Sequence, residues 1–184
     1  MENLKRFVVV VDKISDRIGR LVSWLTLATV VICFGVVVLR YVFSIGFVWM
    51  QEFYVWLHAI VFMGGAAFTL LHGGHVRVDI FYNKMSPRRQ AWVDLMGVIV
   101  FLMPYLAVIA IWSWAYVAQS WQVLEASQNS QGMHGLFLLK TVILVYVAML
   151  AVQALAMAGK SILKLMGVAL PPGPAEAKHA VTAS

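Results

Sequence analysis

Four apolar runs, Leu21–Leu39, Phe47–Leu71, Trp92–Trp114 and Leu136–Met157, each approach or exceed the roughly 20 residues that a helix needs to cross a hydrocarbon core of about 30 Å. Lipid offers no hydrogen bonds to a backbone, so such runs can satisfy their amides only as helices. The fold expected is therefore an all-α membrane protein with four transmembrane helices. Composition agrees: 62% of the 184 residues are hydrophobic and 12% are charged, too little polar surface to cover a soluble core of this size. The first run exceeds the 7 to 15 residues of a signal-peptide core and has no small-x-small cleavage site before Arg40, so it is expected to stay in the mature protein.

Charge placement predicts topology. Lys5, Arg6, Lys13, Arg17 and Arg20 precede span one, and Arg77, Lys84, Arg88 and Arg89 separate spans two and three. Basic segments stay in the cytoplasm, which puts both termini inside and the Arg40 turn and the loop before Leu136 outside. The net charge of +6 does not form a continuous basic face, so it argues against a nucleic-acid partner. Residues 1–20 carry Phe7, Val10, Val11, Ile14, Ile18, Leu21 and Val22 on one helical stripe, opposite Lys5, Asp12, Lys13, Asp16, Arg17 and Arg20. This pattern favours an amphipathic interfacial helix at the cytoplasmic headgroups over an ordinary charged extension of span one, ahead of a membrane domain over 21–165 and a disordered cytoplasmic tail over 166–184. Ser86 and Pro87 suit a helix start, and Pro104 should kink span three.

Each ionisable group inside a span needs a reason. Glu52 and Lys140 fall at the same depth below the outer boundary with opposite signs, and Arg40 could reach their layer. An interhelical pair is expected, with Arg40 as a possible third member; a charged cluster on a transport path is the other reading, but it leaves no surplus ligands for a substrate. His58 lies about 120° around its helix from Glu52 and shares a face with Gly65. With Gly64, Gly65, Ala66 and Ala67 close by, span two has one side for the bundle and another for a partner. Span four likewise sets Ala151, Ala154 and Ala158 on the side of Lys140, with Gln153 roughly opposite.

His72 and His75 are too few to make a metal site, and Cys33 alone cannot form an intramolecular disulfide. No nucleophile and base pair or phosphate loop occurs, so an enzyme is not expected. A four-helix haem b electron carrier is the alternative, but His58 is the only histidine at mid-depth and bis-histidine ligation needs two. No cofactor is expected.

The string from Arg40-Tyr41 through Trp49, Gln51-Glu52 and Trp56 to Gly64-Gly65-Ala66-Ala67, then Gly74-His75-Val76-Arg77-Val78-Asp79, resembles the small membrane subunit (DctQ type) of tripartite ATP-independent periplasmic, or TRAP, transporters. Glu125, Ser127, Lys140 and Gln153 also look like family positions, whereas the prolines of many members in the outer loop and early span four are missing. The resemblance implies a non-transporting subunit in the bacterial inner membrane. Its partners would be a large membrane subunit holding the sodium and substrate sites, and a periplasmic solute-binding protein. The solute would be a dicarboxylate or another organic acid. Arg40, Glu52, His58, Gly64, Gly65, His75, Asp79, Glu125, Lys140 and Gln153 are the expected structural or partner-contact residues.

Overall fold

The computed structural model describes residues 1–74 and 82–168, so His75, Asp79 and most of the expected tail lie outside the described residues. The chain runs α1 (Glu2–Val42), α2 (Val48–Gly64), α3 (Ala66–Leu71), α4 (Pro87–Met96), a π-helical turn (Gly97–Leu102), α5 (Met103–Gln122) and α6 (Leu136–Leu165). Among the described residues, four helical stretches, Glu2–Val42, Val48–Leu71, Pro87–Gln122 and Leu136–Leu165, are long and apolar enough to cross a membrane, as the sequence predicts. The turns at 43–47 and 123–135 lie at one end, called the loop end. The first half of α1 and the last turns of α6 lie at the other, the terminal end.

Helix α6 is the hub and packs against each of the other helical segments named here. Its Val147 and Leu150 meet Leu106 of α5 in a buried cluster, flanked by Ala66 and Leu70 of α3 and Leu102 of the π turn. Ala154, Ala156 and Leu163 are fully buried. Small side chains let the neighbouring backbones close in, which is how helices gain contact where lipid tails are as apolar as leucine. Span four offers two packing faces, and the bundle buries Ala154 on one and Gln153 on the other.

Helix α1 is continuous, so the separate helix expected for residues 1–20 is the first half of one 41-residue helix. It runs antiparallel to α2 and α3, with Val22 against Gly64 and Gly19 against Phe68. A Cβ at Gly19 would fall 2.2 Å from the Phe68 ring, so only glycine permits this approach. The buried side of this half is Val8, Val11, Asp12, Ser15 and Gly19, while Phe7, Val10, Ile14 and Leu21 of the apolar stripe remain exposed. Apolar periodicity does not separate a lipid-facing side from a protein-facing one, and polar partners on α6 set the rotation.

Pro104 has no amide hydrogen to donate four residues back. The helix accommodates it with the π turn just before it, in which the Met103 amide donates to the Val98 carbonyl, five residues back. Pro87 opens α4 as predicted, with Ser86 at the cap position, but the Ser86 hydroxyl makes no capping bond.

Candidate functional site

Among the described residues, the ion pairs and the carboxylate bonds of the spans gather at the two ends of the bundle, and His58 lies between them. At the loop end, Glu52 stands one turn into α2 and faces the 123–135 loop. That loop folds back on itself, with Ala126 bridging His134 and the Ser127 amide donating to the Met133 carbonyl at 3.0 Å. Gly135, at φ 105°, turns the chain into α6 with a conformation that L residues rarely adopt. The Glu52 carboxylate accepts bonds from the Ser127 hydroxyl, from Asn129 Nδ2 at 2.9 Å and from the Met133 amide at 2.6 Å. A Cβ at Gly132 would lie 2.8 Å from Glu52 Oε1, so the loop closes this tightly only because that residue is glycine.

Lys140 belongs to a different contact. Its ammonium meets Glu125 Oε2 at 2.5 Å and sits 4.0 Å from the centre of the Tyr116 ring. The Lys140 ammonium holds the Glu125 carboxyl below its usual 4.5. The expected Glu52–Lys140 pair does not form. Depth and charge sign are matched, but the loop supplies each group with a nearer partner: hydroxyl, amide and N–H donors for Glu52, a carboxylate for Lys140. Arg40 is exposed and joins no ion pair among the described residues. Beside this group, Trp121 Nε1 donates to Thr141 Oγ1 at 2.8 Å and its ring meets Phe137 edge-on at 4.6 Å, which fastens α5 to α6.

At the terminal end the ties run between helices. Gln153 of α6 is 1% exposed, accepts from the Ser15 hydroxyl at 2.6 Å and donates to Asp12 Oδ1 at 3.1 Å. The other Asp12 oxygen meets Lys160 Nζ at 2.6 Å. Buried polar groups persist where their hydrogen bonds are supplied, and here the carboxylate, amide and hydroxyl supply one another. Asp16 pairs with Arg20, and His72 Nε2 lies 3.5 Å from the other Asp16 oxygen. The His72 ring lies against Phe68, and its Nδ1 is 3.0 Å from the Phe68 carbonyl. Gln153 was singled out from sequence, but Asp12, Ser15, Asp16 and Lys160 were not. The available signal was two aspartates one turn apart in a basic helix, with Lys160 on a span packed antiparallel to it.

Between the ends, His58 is exposed on α2, as are Val55 and Phe62, the latter at 74%. Gly64 and Gly65 separate: Gly64 receives Val22 of α1, whereas a Cβ at Gly65 would meet nothing within 4 Å but the Val61 carbonyl of its own helix. The two sides of span two read from sequence are thus distinct, one occupied and one open. Compared with known families, residues 28–163 match the model described as "Tripartite ATP-independent periplasmic transporters, DctQ component". No curated protein and no solved structure matches the chain.

Proposed function

The chain belongs to the DctQ component family of tripartite ATP-independent periplasmic transporters, and from that premise we propose that it scaffolds the large membrane subunit of such a transporter. It is a multi-pass protein of the inner membrane and a transporter component. In this reading the large subunit carries the sodium and substrate sites, a periplasmic binding protein delivers a dicarboxylate or another organic acid, and this subunit widens the static wall against which the moving element works. The observation that supports it most is how the polar groups are spent. Glu52, Glu125, Lys140, Asp12 and Gln153 hold helices and loops of this chain to one another, while large apolar faces of α1 and α2 stay exposed. A transport path would need polar groups along the depth of the bundle, whereas the cavity that Gln51, Glu52, Ser127 and Asn129 line lies at the loop end.

The basic residues before α1's apolar half and around α4 favour cytoplasmic termini, with the loop end in the periplasm beside the binding protein. Exposed Phe7, Val10 and Ile14, next to exposed Arg6, Lys13 and Arg17, suit contact of the first half of α1 with the inner headgroups. Proteoliposomes holding both membrane subunits should take up the solute when a sodium gradient and the binding protein are supplied, and lose uptake when this subunit is left out. Full uptake in its absence would refute the reading.

A further inference from the structure

We propose that the face of α2 formed by Gln51, Val55, His58, Phe62 and Gly65 is the surface on which a transmembrane helix of the large membrane subunit packs, with a hydrogen-bonding side chain of that helix set against His58. The inference rests on the scaffold reading above and names the surface that serves it. Three observations converge. His58 is exposed ten residues into α2, about 15 Å of helix rise below its start, and makes no hydrogen bond or ion pair among the described residues. At that depth lipid offers an imidazole no partner, and polar groups in a span turn toward protein. The positions also step by four, three, four and three residues, the spacing that keeps one seam against a neighbouring helix crossing at a shallow angle.

The adjacent glycines give the third observation. Gly64 admits Val22 of α1, so the chain has used that notch itself; at Gly65, two turns from His58, the Val61 carbonyl at 2.9 Å leaves no room for a Cβ and no other helix comes within 4 Å of it, so this side of α2 is left uncovered. Depth then selects the occupant. Of the two partner proteins, the soluble binding protein cannot reach mid-membrane, so the bilayer-embedded subunit is the one that can cover His58.

The test is site-specific photocrosslinking in the assembled transporter, with Phe62→p-benzoylphenylalanine and Val55→p-benzoylphenylalanine on the proposed face and Ile111→p-benzoylphenylalanine on exposed α5 as control. Positions 55 and 62 should cross-link to the large subunit and position 111 should not. His58→Leu should lower co-purified large subunit by about threefold, with the melting of the isolated subunit unchanged. If the wild-type subunits co-purify but only position 111 cross-links, or positions 55 and 62 cross-link to a second copy of this chain, the proposed face is wrong while the scaffold reading stands. If the wild-type subunits do not co-purify at all, both fall. Unchanged co-purification in His58→Leu would also overturn the proposal.

Discussion

The two ends of the bundle hold themselves together by different means. At the loop end, Glu52 binds three groups of a single loop, and Lys140 binds Glu125 at the start of the same loop. At the terminal end, Asp12, Ser15, Gln153 and Lys160 join two helices separated by most of the chain. The first arrangement orders a local segment that a helix end leaves open. The second fixes how α1 sits on α6. Interfacial water can stand in for partners lost at the loop end, whereas the buried Asp12 and Gln153 have only each other and their neighbours.

This difference predicts a ranking of damage. Asp12→Ala should cost most, about 2 to 3 kcal/mol of stability in detergent, because it strands Lys160 and leaves Gln153 without its acceptor. Thermal melts of the isolated subunit would show it, and protease should then cleave between Lys5 and Arg20 as that half of α1 comes away. Glu52→Gln should cost about 1 kcal/mol, since the site opens to solvent and the amide keeps one acceptor oxygen. Its signature is local, with faster hydrogen exchange over residues 127–133 and unchanged exchange in α1. If Glu52→Gln destabilised the whole bundle more than Asp12→Ala, the contrast between the ends would be reversed.

The smallest effect belongs to Glu125. Its carboxyl is held below the usual 4.5 by Lys140, so the bridge contributes fully above that pH and is lost as pH falls through the lower, folded value. Any difference in melting temperature between the wild type and Glu125→Gln should therefore be constant from pH 8 to pH 5 and shrink only under stronger acid. A difference that vanished already at pH 6 would assign it to another group.

The four spans were legible because length and hydropathy suffice to find a helix in lipid, and the special positions at Glu52, His58, Lys140 and Gln153 were legible because polar groups are costly there. Their partners were not. Glu52 and Lys140 were matched by depth and sign, yet pairing depends on azimuth and on a loop whose fold turns on Gly132 and Gly135. The rotation of α1 was missed for a related reason. Phe7, Val10 and Ile14 form the more apolar stripe, but lipid and protein interior reward an apolar side chain alike, and the Asp12–Lys160, Ser15–Gln153 and Gly19–Phe68 contacts distinguish the buried side.

If this subunit is a static wall, locking it should leave transport intact. Gly159 and Val8 pack closely, a Cβ at Gly159 falling 3.1 Å from Val8 Cγ2, so Val8→Cys with Gly159→Cys in a Cys33→Ser background can join α1 to α6 by a disulfide. In proteoliposomes of the complete transporter, sodium-driven uptake should be the same in the oxidised and reduced states of this variant. Uptake that disappears on oxidation and returns on reduction would show that the bundle moves during transport and would contradict the claim.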